Sequence, residues 1–459
     1  MSGATAAHAS YNGSGTQGLA VTNKVNDTGD IMSVIWTKDK TTKQLLHGCA
    51  LIEIPSSGGG EATGSNITFT LNSDMDLIGD LYVHVDLTLA VAYDILKEYG
   101  LLNLFERVEF QCGTQIWQTL EFADILALNS TEMSEGGYEK FMLSVGGFFS
   151  GGGVVPKNTS GTPDSNYDGG PADSDFAVAA SEKRTFSFRL PLLTRNLAPM
   201  LVNYSNVTEG GFISAAAPNQ TVKIKIFTNK SSTMAANKMI SGTNHTPASD
   251  KMEIRLFGKH MIMCNEEREK IRNIPGGIAK RLKLTQYRDA VQKQAINNIV
   301  DVELDCDHFS LYASHLIIQI FDETGYSTGG VTTLDASSSN GDECATLLSA
   351  DLKLNSTSFC GKLTGGMMSG QLPESMGLYV NNFFSRTDPH TRTIVYVFPL
   401  ANKAYSGSGV PLNRFDNIRL ALRIYTPVST TATIPKISCT CVGETTALYK
   451  QGAASISMY

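Results

Sequence analysis

The chain has 459 residues, 42% of them hydrophobic and 18% charged, with a net charge of −7 at neutral pH. That balance argues against a folded surface that wraps nucleic acid, which needs a basic stripe, and no window supplies the roughly 18 consecutive apolar residues of a membrane span. A low charged fraction with 42 glycines reads as all-β with many turns, and the length exceeds what one core fills, so two domains are expected.

Taken in chain order, the opening MSGATAAHASYNGSGTQG lacks a basic stretch followed by an apolar one, so it does not read as a secretory signal. Residues 1–50 read as an arm, mobile or ordered by a partner. Strand patterns follow. Ile67, Phe69 and Leu71 alternate with Thr68 and Thr70, and Leu81, Val83, Val85, Leu87 and Leu89 with polar neighbours. Val108, Phe110 and Cys112 alternate up to a turn at Cys112-Gly113; Phe186, Phe188 and Leu190, and Val222, Ile224 and Ile226, do the same. A period of two marks strands half-buried on one face. Two short helices are predicted, Leu120 to Asn129 and Tyr138 to Val145, split by Gly136-Gly137. After Pro275-Gly276-Gly277 a second strand series covers Arg281 to Thr285, Val300 to Cys306, Leu311 to Phe321, Thr393 to Phe398 and Ile418 to Tyr425. The joint falls between about 260 and 280, giving domains 51–270 and 271–459. Three stretches, Gly146 to Glu182, Asn229 to Asp250 and Thr324 to Asp342, read as long loops at one end of a β-scaffold.

The segment 393–426 is the most informative. Ile394, Tyr396 and Phe398 alternate with Val395 and Val397, so both faces of the run are apolar; such a strand is buried on both sides or lies at a tight subunit contact. A Ser-Gly break at 406–409 leads to Asn413-Arg414-Phe415-Asp416-Asn417 and a final alternating strand. Asn and Asp side chains can hold such a turn by bonding nearby backbone, with Phe415 packed inward as an anchor and the strand starting near Asn417.

Chemistry-bearing patterns are sparse. No phosphate-binding Gly-x-x-x-x-Gly-Lys loop, Gly-x-Ser-x-Gly elbow or His-Glu-x-x-His occurs, so no catalytic residues and no cofactor are expected. The eight cysteines are spread thinly and read as free buried thiols; Cys439-Thr440-Cys441 is one residue too short for a zinc knuckle. Asp301, Glu303, Asp305 and Asp307 line one face of a strand. They fit a cation site or charged contact, a solvated face, or cross-strand pairing with Arg281 and Lys283 or with Arg419 and Arg423.

The order of these elements resembles the major capsid proteins of nucleocytoplasmic large DNA viruses and their smaller relatives among the virophages and polinton-like viruses. Asp76 to Val83 is similar to that family's Gly-Asp-Leu-Ile strand, and Asn103 to Phe110 with Gly113 to Ile116 to its Val-Glu-Ile hairpin. Phe188 to Asn196 resembles its Leu-Pro-Phe-Trp-Phe-x-Arg-Asn corner, with Leu192-Leu193 in place of the aromatic pair. The 413–417 turn resembles its Asn-Phe-Ser-Arg-Ile-Asp-Asn. The resemblance implies two tandem eight-stranded jelly rolls with short helices and long loop insertions. It implies pseudo-hexameric homotrimers that tile an icosahedral virion shell assembled in the host cytoplasm. Neighbouring capsomers, penton and minor capsid proteins would be the partners, with membrane contact only through minor proteins and no direct contact with nucleic acid. Leu190, Pro191, Arg195 and Asn196 would shape the corner of the first roll; Asn413, Phe415, Asp416 and Asn417 would fix the last turn. The rival reading is a carbohydrate-binding β-sandwich, a lectin or attachment protein, since jelly rolls serve both roles.

Overall fold

The computed structural model describes residues 47–57, 66–71, 76–88, 94–96, 102, 105–145, 177–178, 183–192, 212, 214–228, 240–241, 251–263, 265–273, 278–291, 299–321, 346–380, 383–384, 391–392, 395–404, 409–425 and 436–457. Eight principal strands precede residue 264: β1 His47–Ile54, β2 Asn66–Thr70, β3 Leu77–Thr88, β4 Phe105–Cys112, β5 Gln115–Glu121, β6 Lys183–Leu190, β7 Val222–Thr228 and β8 Lys251–Met263. Eight follow residue 277: β9 Ile278–Val291, β10 Ile299–Asp305, β11 Tyr312–Phe321, β12 Thr346–Leu354, β13 Thr357–Ser358, β14 Val395–Pro399, β15 Ile418–Tyr425 and β16 Lys436–Lys450.

The first set forms two antiparallel sheets, ordered β1-β8-β3-β6 and β2-β7-β4-β5. With the strands Ser56–Ser57, Leu363–Thr364, Val410–Pro411 and Ala453–Ser457 set aside as edge additions, the second set forms β9-β16-β11-β14 and β10-β15-β12-β13, the same order with every label raised by eight. Each half is a jelly roll, and its chain path repeats although no residue-level repeat shows in the sequence. Among the described residues every strand ladder stays within one half. Helix α3, Asn265–Arg272, joins the halves, so the division expected at 270 falls inside it.

The alternating patterns bury as expected. On β7, Val222, Ile224 and Ile226 are buried and the lysines between them half-buried. The two sheets of the first roll meet through rings such as Phe105 and Phe188, 5.7 Å apart edge to face. The β4–β5 hairpin turns at Gly113, whose φ of +61° suits a residue without a Cβ. The expected helices are α1 Phe122–Glu132 and α2 Glu135–Ser144. Trp117 is in strand β5, one turn-length earlier than α1.

Five principal strands, β1, β8, β12, β13 and β16, were not legible as strands, and β5 was legible only in the hairpin resemblance of Gly113 to Ile116, its end at Leu120 and Glu121 having read as helix. Residues 47–50, assigned above to the arm, pair with His260 to Met263 in β1–β8. Of the three loop stretches, only short strands at Ala177–Val178 and Ile240–Ser241 are described; the rest, including all of 324–342, lies outside the described residues.

Candidate structural site: the inter-roll seam and the β15 turn

Helix α1 is buried on nearly every side, its polar Asp124, Asn129, Ser130, Thr131 and Glu132 as well as Ala123, Ile125, Leu126, Ala127 and Leu128, because it is sandwiched between the rolls. The Ser130 and Thr131 hydroxyls bond back to carbonyls of the helix itself, and other polar groups cross that boundary. Lys283 Nζ on β9 donates to Glu132 Oε1 at 2.9 Å, with side chains 4% and 0% exposed. Thr440 Oγ1 on β16 donates to Asp124 Oδ1 at 2.5 Å, and the Glu121 amide donates to Asp124 Oδ2 at 3.0 Å. The Tyr379 amide donates to Thr131 O at 2.9 Å. Further along, Gln118 Nε2 donates to Thr285 Oγ1 at 3.1 Å, and Gln220 Oε1 accepts the Ala454 amide at 2.7 Å. Phe212 of the first roll stacks edge-on against Tyr449 of the second, ring centres 5.6 Å apart.

Burial pushes the Asp124 carboxyl up to about 7, against the lowering hydrogen bonds from Thr440 and the Glu121 amide. A seam built from such paired, desolvated groups tolerates few alternative dockings, since each misplacement strands a buried polar group. Helix α3 is itself fixed to the first roll: Arg268 grips the fully buried Asp76 with two bonds of 2.6 and 3.0 Å, and Arg272 Nε donates to Ala215 O at 3.3 Å.

The turn before β15 is held differently from the sequence expectation. β15 begins at Ile418, one residue later than expected, and Asn413 and Asp416 are exposed. The Asp416 and Asn417 amides both donate to Asn355 Oδ1 at 3.1 Å, and Asn355 N donates back to Asn417 O at 2.8 Å. Asp307 Oδ1 accepts the Ile418 amide at 2.6 Å. The fixing side chains therefore come from the β12–β13 turn and the end of β10, and the 413–417 segment supplies mainly backbone. Asn355 has φ +48°, a left-handed conformation that Asn tolerates better than most residues. Phe415 packs against the core but is only half-buried, so it is a lesser anchor than expected.

These positions order a stability series. Phe415→Ala should cost about 2 kcal/mol, roughly half the 3–5 of a fully buried Phe. Asn355→Ala should cost about 1–2 kcal/mol through two lost acceptor bonds and a strained φ. Asp416→Ala should stay within about 0.5 kcal/mol. Thermal melts of the three variants check the order; an Asp416→Ala loss larger than that of Asn355→Ala would reverse the assignment.

At the other predicted corner, Leu190 and Pro191 are buried at the end of β6; Arg195 and Asn196 lie outside the described residues. The acidic strand is β10, and its carboxylates face arginines on β15. Asp301 stands opposite Arg423 and Asp305 opposite Arg419 in the ladder, with Arg419 Nη1 2.6 Å from Asp305 and Nη2 3.3 Å from Asp307. The hydrogen bond from Arg419 holds the Asp305 carboxyl below its ordinary value. Two of the alternatives hold together: the carboxylate face is exposed to solvent, and on it Asp305 and Asp307 pair with Arg419 and, more loosely at 3.8 Å, Asp301 with Arg423, while Glu303 stands opposite Ala421; Lys283 serves the seam instead. Among the described residues no group of three or more His, Cys, Asp or Glu is placed to hold a metal. Cys112, Cys306, Cys439 and Cys441 are buried free thiols, whereas Cys360 is free but exposed, against the expectation that the cysteines are buried; a hydrogen bond with Cys306, then burial, raises the Cys439 thiol well above its ordinary value.

The doubly apolar run also resolves within one chain. Val395, Tyr396, Val397 and Phe398 are all buried, one face on the second-roll core and the other under helices α4, Gly365–Ser369, and α5, Gln371–Ser375. Tyr396 Oη accepts the Leu347 amide at 3.1 Å, and α4 approaches β12 so closely that a Cβ on Gly365 would collide with Leu347 O. A subunit contact is not needed to explain that strand.

No protein-family model and no curated protein sequence matches the chain. Solved structures do. A quasi-atomic model of the PBCV-1 virus capsid aligns with a TM-score of 0.63 and 14% identity over 92% of this chain and 99% of its own. The Faustovirus major capsid protein aligns at 0.58 and 11%, covering 89% and 91%. The Sputnik virophage structure aligns at 0.56 and 12%, covering 91% and 89%. The fold is the double jelly roll of viral major capsid proteins. At such identities the likeness rests on chain path, and it runs over both halves rather than either roll alone.

Proposed function

We propose that the chain is a viral major capsid protein, whose work is mechanical: three copies form a pseudo-hexameric trimer, and trimers tile an icosahedral shell. The observation that carries this is the pair of rolls with identical strand order, locked by buried pairs into one rigid block. Each block offers two similar wedges, so three blocks give a six-sided tile. The role is structural rather than enzymatic. Its partners are further copies of itself, neighbouring capsomers and the penton and minor capsid proteins, with any membrane reached through the minor proteins; its place is the virion, assembled in the host cytoplasm.

Light scattering of the purified chain tests the first step. The expected mass is three times the 49.5 kDa of one chain, and negative-stain images should show hexagonal outlines. Obligate interfaces commonly bury above about 2,000 Å², so the trimer should persist at micromolar concentration. A stable, monodisperse monomer there contradicts the reading.

A further inference from the structure

The two rolls follow one chain path, yet their equivalent surfaces fare differently. On the second roll, the outer face of β9-β16-β11-β14 is covered by the first roll. Lys283, Thr285, Ile317, Thr440 and Val442 are all buried there, and Lys283, Thr285 and Thr440 bond across the seam. The equivalent face of the first roll, on β1-β8-β3-β6, is open. Leu51 is 62% exposed, Glu53 and Lys259 are exposed, and Tyr82, His84 and Phe257 are half-buried. The ladders put these side chains on one face: Leu51 stands opposite Lys259, and Phe257 opposite both Glu53 and Tyr82.

The side that does the covering shows the same contrast. Trp117 stands two residues beyond Gln115, where β5 leaves its turn, and is 4% exposed at the seam. Phe359 stands two residues beyond Thr357, at the same point after the β12–β13 turn, and is 42% exposed. Helix α1 begins at Phe122 and α4 at Gly365, seven and eight residues beyond those same points. The side chains of α1 are buried, whereas Met367 on α4 is 43% exposed. Among the described residues, four of the six exposed large apolar side chains, Leu51, Leu348, Phe359 and Met367, lie on these two surfaces, which marks them as contact surfaces rather than scattered exposure. The chain carries one closed seam and both halves of a second.

We propose that the contact between neighbouring copies in the trimer repeats the intrachain seam: Phe359, Cys360 and Met367 of one copy seat on the outer face of β1-β8-β3-β6 of the next. A patch and its complement on one chain join copies head to tail, the arrangement that closes into rings. This rests on the trimeric reading above and adds the surfaces that make the trimer.

The closed seam also sets the register. In both rolls a ladder shifts beside a glycine, Gly258 between β8 and β3 and Gly443 between β16 and β11. Glu53 is opposite Phe257 and Thr285 is opposite Val442, in each case the residue before that glycine, so Glu53 holds the place of Thr285. Cys360, three residues beyond Thr357, holds the place of Gln118, three beyond Gln115. The Gln118–Thr285 bond within the chain therefore maps to Cys360 of one copy beside Glu53 of the next. Leu51 and Lys259 take the places of Lys283 and Glu444. Glu444 lines the same seam cavity, of about 350 Å³, as Trp117, so Phe359 falls beside Leu51 and Lys259.

Cys360 is free and exposed, which makes the test direct. In the Glu53→Cys chain a short bismaleimide should give covalent dimers and trimers and nothing larger, and adding Cys360→Ser should abolish them. Phe359→Asp changes an exposed side chain, so the far-UV signal should stay intact. It should raise the concentration at which trimers form by more than about tenfold, the effect of losing a central contact. Leu448→Asp, on β16 outside both surfaces and also exposed, should leave that concentration unchanged. A trimer by light scattering that neither cross-links in this way nor weakens with Phe359→Asp overturns the proposed surfaces and leaves the trimer standing. So does cross-linking that stops at dimers, the mark of a twofold contact. A monomeric unmodified chain overturns the trimer itself, and the surfaces with it.

Discussion

Lys283→Ala is expected to destabilise the protein by about 3–5 kcal/mol, the usual cost of removing one member of a buried ion pair. The Glu132 carboxylate is 0% exposed and would keep its desolvation without the ammonium at 2.9 Å. For a unit the size of one roll that loss lowers the melting temperature by roughly 6–20 °C. The paired replacement Lys283→Met with Glu132→Leu should regain most of the loss, because two apolar groups of similar volume need no partner. The coupling measured in that cycle separates a structural pair from an incidental one. A Lys283→Ala cost below about 1 kcal/mol would mean that water reaches the seam. A partial loss with intact far-UV signal would instead mean that the rolls separate while each stays folded.

The seam was the least legible part of the sequence, and the reason is physical. A period of two reports that one strand face differs from the other; it does not report what covers the polar face. Arg281 to Thr285 reads as a half-exposed strand with Lys283 in water, yet Leu282, Lys283, Leu284 and Thr285 are all buried, because the polar face of β9 meets α1. β16 was missed for the same reason. Ser438, Thr440 and Gly443 sit between Cys439, Cys441 and Val442, a run with little hydrophobic contrast, although it is the centre of its sheet and laddered on both sides. Half-buried strands with solvent on one face, such as β2, β4, β7, β10 and β15, were legible to within a few residues. The β15 turn was legible in place and only partly in mechanism. Asn355, which holds it, stands more than sixty residues away and showed in the sequence only as one of many Asn-x-Ser/Thr triplets. The arginine partners of β10 were legible as one of three options, because alternation gives the face of a charge and leaves its register to the ladder.

Acid is expected to act on this protein through two buried groups with opposite signs. Burial lowers His260 to about 4. Its ring lies over Gly258 at the β8 bulge, and neither nitrogen has a hydrogen-bond partner among the described residues. A group lowered in the fold gives stability that is complete above its unfolded value, about 6.5, and is lost as pH falls toward 4. Asp124 is the reverse: raised to about 7 mainly by burial, it gives stability that is complete below about 4 and lost as pH rises through 7. Glu121 beside it pushes in the same direction, and the Cys439 thiol nearby, raised well above its ordinary value, stays neutral throughout. Between pH 4 and 6.5 each proton contributes a slope of about 1.4 kcal/mol per pH unit, and the two slopes cancel. Each variant should therefore expose the other group. His260→Leu should become more stable as pH falls from 7 to 4.5, and Asp124→Asn should become less stable over the same range, while the unmodified chain changes little. Denaturant midpoints at three pH values measure all three slopes. Parallel slopes in the two variants would show that at least one of these side chains is hydrated in the folded protein, and that the rolls meet less tightly around it than the buried Thr440–Asp124 bond requires.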